Sequence, residues 1–253
     1  MAKVMLITGA SRGIGRDTAL LAAERGYTVA VNYVANRAKA EEVVAAIKAG
    51  GGRAELFLAD VAKVAEVERM FGEIDGRLGR IDALVNNAGV GYTQGRLDQT
   101  KPEHLVATFE VNVFGLFYCS QAAVRRMSTR HGGKGGAIVN VSSAAARNGG
   151  PGAYIDYAGS KAAVDVITTG LAKEVGGEGI RVNAVRPGVT DTDMMQPVRE
   201  QDPAWLEQVI RTMPMGRLGQ PREISHAILW LLSDEASYVT GTIIDASGGR
   251  VTP

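Results

Sequence analysis

The sequence has little cysteine and little histidine. It carries a single cysteine, Cys119, among 253 residues, so it can form neither an internal disulfide nor a multi-cysteine metal site. The three histidines, at positions 104, 131 and 226, lack the spacing to cysteine or carboxylates that metal sites use, and no metal ion is expected. Cys119 lies in an apolar segment, which predicts a buried and unreactive thiol. This composition suits a reducing cytoplasm.

An excess of one charge and a long apolar run are also missing. The formal net charge is +1, from 28 basic and 27 acidic residues, which gives no general attraction to nucleic acid. No run approaches the roughly 18 apolar residues of a membrane span. The first ten residues hold one lysine and a short apolar run, and they are not expected to form a secretory signal. We therefore predict a cytoplasmic protein without a nucleic-acid or membrane partner.

Short apolar runs alternate with helical patterns along the whole chain. The predicted strands are 3–8, 28–33, 53–60, 81–89, 136–143, 179–188 and 241–249, and the predicted helices are 14–26, 38–51, 63–79, 101–130, 155–175 and 221–234. This alternation predicts an α/β fold, a doubly wound parallel sheet of about seven strands with helices on both faces. No linker interrupts it, so residues 1–253 are expected to form one domain. The irregular stretch predicts a substrate loop at about 189–216.

A glycine-rich turn, TGASRGIG at residues 8–15, follows the first predicted strand and precedes the first helix. Glycine lets the backbone approach a ligand closely, and the free N–H groups at a helix N-terminus favour a phosphate. The spacing of Gly9, Gly13 and Gly15 differs from the G-x-G-x-x-G fingerprint, so the position between strand and helix carries the prediction. The turn predicts a dinucleotide site, with a purely structural tight turn as the alternative.

The residues after the second predicted strand indicate which dinucleotide would bind. No Asp or Glu occurs from Val29 to Ala40, so the acid that would bind a ribose 2′-hydroxyl is missing. Arg12 in the glycine turn and Arg37 after the strand could both pair with a 2′-phosphate. Arg37 is equally compatible with the start of a solvated helix. These residues favour NADP(H) over NAD(H).

Several motifs occur in a fixed order. TGASRGIG, NNAG at 86–89, Asn112, the serine pair 142–143, YAGSK at 157–161 and RPG at 186–188 together resemble the short-chain dehydrogenase/reductase family over essentially the whole chain. Within it, the chain is most similar to 3-oxoacyl-carrier-protein reductases and glucose 1-dehydrogenase-like members. The resemblance implies a Rossmann fold and an NAD(P)(H)-dependent oxidoreductase acting on alcohols or carbonyls. It also implies a small-molecule substrate and a homotetramer.

The resemblance further implies site residues. The implied catalytic set is Asn112, Ser143, Tyr157 and Lys161. The implied cofactor contacts are, in chain order, Gly9, Ser11, Arg12, Gly13, Ile14, Gly15, Tyr33, Arg37, Asp60, Val61, Asn87, Ala88, Gly89, Tyr157, Lys161, Pro187, Gly188 and Thr192. One position departs from the pattern, because Thr190 stands where similar chains often carry an apolar residue.

The pair Tyr157 and Lys161 fits the chemistry of carbonyl reduction. Hydride transfer needs a proton at the carbonyl oxygen, and a tyrosine with a lowered pKa can supply it. The two residues are four apart, so they share a helix face, and an ammonium beside a tyrosine lowers the tyrosine pKa. A Tyr–Lys pair on a helix surface is the structural alternative. Tyr154 has Ala158 as its corresponding partner, which predicts a packing or substrate-pocket residue.

Three further polar residues each allow two interpretations. Ser143 is expected to bind the substrate oxygen, while its neighbour Ser142 is expected to bond to backbone; strand alternation cannot choose between them, and the family pattern selects Ser143. Asn112 fits a core amide that holds backbone, or a residue that kinks the helix and holds a water near Lys161. Asp60 fits a cap for the next helix, or an adenine contact.

Two other functions stay open. The fold can bind nucleotides without chemistry, which would make the chain a nucleotide-sensing protein. Within enzymes, the alternative is an NAD-linked sugar or polyol dehydrogenase.

Overall fold

The computed structural model describes residues 2–91, 95–196, 200 and 203–250. Seven parallel strands form one sheet in the order β3-β2-β1-β4-β5-β6-β7. The strands are β1 (Val4–Ile7), β2 (Thr28–Tyr33), β3 (Arg53–Leu58), β4 (Ala83–Asn86), β5 (Gly136–Val141), β6 (Ile180–Pro187) and β7 (Ile243–Ala246). The predicted doubly wound parallel sheet is therefore confirmed.

The helices cover both faces of this sheet. They are α1 (Gly13–Glu24), α2 (Arg37–Ala49), α3 (Val64–Arg77), α4 (Pro102–Phe109), α5 (Gly115–Met127), α6 (Ala145–Asn148), α7 (Ile155–Val175), α8 (Pro203–Arg211) and α9 (Pro221–Leu232). Within the described residues, no helix is long and apolar enough to cross a membrane.

The hydrophobic core has two halves, one on each face of the sheet. Met5 and Ile7 of β1 pack in the half that contains side chains of α1, α2 and α9. Val4 and Leu6 of the same strand pack in the half that contains side chains of α3 and α5. Successive strand residues point to opposite faces, so a strand buried on both faces reads as a continuous apolar run.

Some predicted elements end earlier than expected, and some were missed. The predicted strand 81–89 ends at Asn86, and the predicted helix 101–130 is interrupted by a π-helical turn, Glu110–Phe114. The short helix α6 was not predicted, and α8 lies inside the stretch expected to be irregular. Pro221 does begin α9, as predicted, because proline suits the first helical turn.

The sheet order reverses at β1, whose neighbours are β2 and β4. In open parallel sheets, ligands bind outside the carboxyl ends of the strands at such a reversal. The glycine turn follows β1 and the NNAG segment follows β4, so both lie at this point.

Candidate active site

The glycine turn leaves the N-terminus of α1 open to an anion. Among the described residues, no side chain caps α1 at Arg12, and its first turn contains no acid. The first N–H groups of a helix without such a cap favour a phosphate. A Cβ added to Gly15 would lie 2.5 Å from the backbone oxygen of Gly9 and from Nδ2 of Asn87. The turn therefore fits the pyrophosphate of a dinucleotide, and Gly15 has no room for a side chain.

The NNAG segment is bonded to the glycine turn and to the next strand. Asn87 Nδ2 donates to the backbone oxygen of Thr8 at 2.9 Å, and the N–H groups of Asn87 and Ala88 donate to Thr8 Oγ1, also at 2.9 Å. Asn86 Nδ2 donates to Asn140 Oδ1 at 2.9 Å, which links β4 to β5. These bonds fix the position of the NNAG segment at the carboxyl end of β4. The half-buried residues here that match predicted cofactor contacts are Gly9, Ser11, Gly13, Ile14, Asn87, Ala88 and Gly89.

The two arginines predicted to meet a 2′-phosphate are both exposed. Arg12 lies in the glycine turn, and Arg37 is the first residue of α2. Arg37 Nε donates to Glu41 Oε1 at 2.8 Å. This contact fits the alternative interpretation, in which Arg37 begins a solvated helix. Asn36 caps α2 by accepting a bond from the N–H of Lys39. A phosphate at this helix start would share Arg37 with Glu41.

The predicted adenine contacts, Asp60 and Val61, lie just after β3, and the predicted cofactor contact Tyr33 ends β2. Asp60 does not cap α3, whose N-cap is Lys63. Asp60 Oδ1 instead accepts a bond from the N–H of Ala62 at 3.0 Å, which fixes the turn after β3. Tyr33 and Val61 are buried in the core. The alternative of Asp60 as a helix cap therefore does not hold, because its side chain bonds within the turn before α3. The adenine role stays a prediction.

Asn112 lies in the π-helical turn between α4 and α5. Its Nδ2 donates to the backbone oxygen of Val90 and to Ser160 Oγ, both at 2.9 Å, and its Oδ1 accepts from the N–H of Val90 at 2.8 Å. The interpretation as a core amide that holds backbone is confirmed, and the helix is distorted at Asn112 as expected. Single π-turns inside helices are frequent at functional sites.

Tyr157, Lys161 and Ser143 meet at the carboxyl ends of β4 and β5. A side-chain hydrogen bond joins Ser143 to Tyr157. Lys161 Nζ donates to the backbone oxygen of Val141 at 2.8 Å and lies 5.7 Å from the centroid of the Tyr157 ring. A Cβ added to Gly89 would lie 3.3 Å from Lys161 Nζ and from Asn112 Oδ1. The structure therefore brings the four predicted catalytic residues together.

Burial dominates the protonation of this cluster. It raises the pKa of Tyr157, and the hydrogen bond with Ser143 opposes that rise to a smaller extent. Burial also lowers the pKa of Lys161 to about 8, while the charge of Asp165 acts to raise it. The expected lowering of the Tyr157 pKa is therefore wrong, because burial is the largest influence on it and acts to raise it. Desolvation disfavours the phenolate, and Lys161 Nζ donates a hydrogen bond to the backbone oxygen of Val141.

The neighbours of the catalytic pair behave as the sequence suggested. Ser142 Oγ donates to the backbone oxygen of Lys161 at 3.1 Å, so its predicted backbone bond is confirmed. The ring of Tyr154 lies 6.2 Å from the ring of Tyr157 in an edge-to-face arrangement. Tyr154 therefore packs against the ring of Tyr157.

The segment after β6 lies across the glycine turn. A Cβ added to Gly13 would lie 3.3 Å from Cγ2 of Thr192. Thr190, the departure from the family pattern, turns its hydroxyl to the backbone oxygen of Gly188 at 3.0 Å. The predicted loop 189–216 contains a short 3-10 turn, Asp193–Met195, and helix α8, and part of it lies outside the described residues. Its role in binding substrate stays a prediction.

Cys119 lines a small cavity together with Lys161 and Asn112. Cys119 is fully buried, as predicted, and burial raises the pKa of its thiol to about 12. The unreactive thiol stays a prediction. In the part of the chain that the structure describes, no group of three or more His, Cys, Asp or Glu side chains is placed to hold a metal ion.

Sequence reasoning missed two residues that support the cluster. Ser160 accepts from Asn112 and donates to the backbone oxygen of Tyr157 at 2.7 Å, so it joins the π-turn to α7. Asp165 Oδ2 accepts from Arg186 Nε at 2.9 Å, and its charge acts on Lys161. The spacing of four residues between Lys161 and Asp165 was the available signal.

Comparisons with known proteins agree with this architecture. Residues 9–250 match the family model described as enoyl-(acyl carrier protein) reductase. The chain is 50% identical over 247 residues to the uncharacterized oxidoreductase YgfF of Escherichia coli K12, covering 98% of this chain and 99% of that protein. It is 40% identical over 249 residues to the 3-oxoacyl-(acyl-carrier-protein) reductase FabG of Staphylococcus aureus Mu50, covering 98% of each.

Solved structures give the same result. A short-chain dehydrogenase/reductase from Serratia marcescens BCRC 10948 is 33% identical and superposes with a TM-score of 0.91, covering 99% of this chain and 98% of that one. A short-chain type dehydrogenase/reductase from Mycobacterium marinum is 35% identical with a TM-score of 0.90, covering 99% of this chain and 96% of that one.

Proposed function

The chain belongs to the short-chain dehydrogenase/reductase family, and from this premise we propose that it is an NADP(H)-dependent carbonyl reductase with Tyr157 as proton donor. Membership makes it an oxidoreductase acting on CH–OH groups with a nicotinamide cofactor. The observation that carries the finer proposal is the meeting of Ser143, Tyr157 and Lys161 at the NNAG segment, which also contacts the glycine turn before α1.

The residues present fit a nicotinamide dinucleotide. The uncapped start of α1 would hold the pyrophosphate, with Gly13 and Gly15 giving its close approach. Thr192 and the Pro187–Gly188 turn would border the nicotinamide. When bound, the nicotinamide supplies the hydride to the carbonyl carbon.

The proton comes from Tyr157. As hydride reaches the carbonyl carbon, negative charge develops on the carbonyl oxygen, and the Tyr157 hydroxyl donates its proton there. Ser143 donates a hydrogen bond to the same oxygen, which stabilises that charge. The raised pKa of Tyr157 keeps the phenol protonated before the reaction, as an acid requires. In alcohol oxidation the same groups act in reverse.

Lys161 and Asn112 support the return of a proton to Tyr157. The Lys161 ammonium stabilises the phenolate that proton transfer leaves behind. A cavity of about 10 Å³ is lined by Lys161, Asn112 and Asn86, which is room for a single water. We assign Asn112 the role of fixing the π-turn and holding a relay water near Lys161.

NADP(H) is the proposed cofactor because of the charges near the ends of β1 and β2. Arg12 and Arg37 are exposed there, and residues 29–40 contain no acid that would repel a 2′-phosphate. The proposed substrates are ketones, with 3-oxoacyl thioesters first, since FabG, 40% identical, is named for that reduction. The family model is named for enoyl reduction, but paired hydroxyl donors suit a carbonyl oxygen better than a carbon–carbon double bond.

A substrate panel tests this proposal. NADPH and NADH oxidation is measured with a 3-oxoacyl thioester, simple ketones and an enoyl thioester, and NAD⁺ reduction is measured with sugars and polyols. We expect turnover of the oxo compounds, with NADPH preferred. Turnover confined to the enoyl thioester, or to polyols with NAD⁺, would contradict the proposed reaction. Cofactor binding without turnover of any substrate would favour a nucleotide-sensing protein.

We also propose that the chain forms homotetramers through its long helices. Large apolar side chains are exposed along α4, the π-turn, α5 and α7, namely Leu105, Val106, Phe114, Phe117 and Val166. Exposed apolar patches of this kind mark interaction sites, and a second copy of the chain is the proposed occupant. Light scattering is expected to give the mass of four chains, and a monomer would contradict the assignment.

The cytoplasmic setting also stays a prediction.

A further inference from the structure

Lys39 makes an ion pair that crosses the proposed cofactor groove. Its Nζ lies 2.9 Å from Oδ2 of Asp193. Lys39 stands in the first turn of α2, just after β2, and Asp193 stands in the segment that follows β6. The two residues are 154 positions apart in the chain. The pair therefore joins the proposed adenosine side of the groove to the start of the proposed substrate loop.

The carboxylate of Asp193 lies among basic groups, in a position that an anionic ligand could occupy. The hydrogen bond from Lys39 holds the pKa of the Asp193 carboxyl below its usual value, and the charge of Arg12 adds to this effect. The first turn of α2, Arg37 to Ala40, contains no acid, and its helix dipole also favours a negative charge. The negative partner of Lys39 is thus supplied from a distant segment, whereas Arg37 pairs with Glu41 of its own helix.

The neighbour of Asp193 fixes where this segment lies. Thr192 contacts the glycine turn, since its Cγ2 would be 3.3 Å from a Cβ on Gly13. Residues 192–193 therefore lie over the start of α1 and beside the start of α2. A dinucleotide held by the glycine turn with a 2′-phosphate would present its dianion to Arg12 and Lys39, the groups that now face Asp193.

We propose that Lys39 is a further determinant of NADP(H) selectivity, and that Asp193 competes with the cofactor's 2′-phosphate for it. Binding of the 2′-phosphate moves Lys39 from the carboxylate to the phosphate and frees residues 192–195 from α2. A 2′-hydroxyl carries no charge and cannot replace the carboxylate. The proposal rests on the NADP(H) preference argued above, and it adds a link between the type of cofactor and the substrate loop.

The test uses two adenosine probes that differ only in the 2′-phosphate, adenosine 2′,5′-bisphosphate and adenosine 5′-monophosphate. Calorimetric titration of the full chain gives their Kd values. Because exposed ion pairs are weak, Asp193→Asn is expected to tighten bisphosphate binding about three- to fivefold, and Lys39→Ala to weaken it by a similar factor. Asp193→Asn should lose most of its effect in the Lys39→Ala background. The monophosphate should bind all variants alike.

Matched controls separate this exchange from a general charge effect. Lys48→Ala removes an exposed lysine from the last turn of the same helix and should leave both Kd values unchanged. Lys39→Arg should retain bisphosphate binding. Equal bisphosphate binding by wild type and Asp193→Asn, or an undiminished Asp193→Asn effect without Lys39, would overturn the competition. Equal affinity of the wild type for the two probes would defeat the NADP(H) preference itself, and the proposal with it.

The loop has its own readout. The N–H of Met195 donates to the backbone oxygen of Thr192 at 2.9 Å, so its hydrogen exchange reports on this segment. We expect the bisphosphate to speed exchange at Met195 and the monophosphate to leave it unchanged. Exchange that does not respond to the bisphosphate would contradict release of the loop.

Discussion

Tyr157→Phe is expected to lower kcat for ketone reduction by about 10²- to 10⁴-fold, the range that general acid catalysis contributes. Phenylalanine keeps the ring and removes only the hydroxyl that is bonded to Ser143. The Kd for NADPH should stay nearly unchanged, because the lost interaction acts on the reacting oxygen. Steady-state kinetics and a fluorescence titration with NADPH measure the two quantities.

Tyr154→Phe is the matched control for this variant. Tyr154 lies edge-to-face with Tyr157, so the control removes a hydroxyl beside the same helix start without removing the proposed donor. We expect Tyr154→Phe to alter KM for the substrate more than kcat. A Tyr157→Phe enzyme as fast as wild type would eliminate Tyr157 as the acid. Equal losses in both variants would point to damage of the packing between the two rings.

The sheet was predictable because its strands are buried on both faces. Parallel strands covered by helices read as continuous apolar runs, and β1, β2 and β4 are buried at every residue. Strand ends were less predictable. The strand expected at 81–89 ends at Asn86 because the backbone of the next two residues turns to donate to Thr8 Oγ1. These bonds join residues about 80 positions apart in the chain, and patterns of neighbouring residues cannot show such contacts.

The candidate site was predictable where chemistry follows from spacing along one helix. Tyr157 and Lys161 fall on one face because α7 is regular. Their protonation was not predictable, because burial depends on how β5 and α7 pack and outweighs the neighbouring charge. The ion pair between Lys39 and Asp193 was likewise not predictable from the sequence. It joins segments that follow two strands on opposite sides of β1 in the sheet.

Lys161→Met is expected to lower kcat/KM for NADPH by at least about 100-fold, within the range of acid–base effects. It should also remove a step in the pH dependence of kcat/KM. The wild-type value should fall as pH rises through about 8, because Lys161 loses its proton there. Tyr157 keeps its proton at this pH, since burial raises its pKa above the ordinary value of 10.0. The step near pH 8 therefore belongs to the lysine. This kinetic ratio is the right measurement because it reports ionisations of the free enzyme.

Lys161→Arg separates the charge from its titration. Arginine stays protonated throughout the accessible pH range, so any activity that it retains should show no fall near pH 8. Lys161→Met should also show no fall near pH 8, and its kcat/KM should be much lower. Asp165, paired with Arg186, acts on Lys161 from the next turn, so Asp165→Asn should move the wild-type step to lower pH. A step that persists near pH 8 in both Lys161 variants would mean that another group titrates there, and the proposed role of the ammonium would fail.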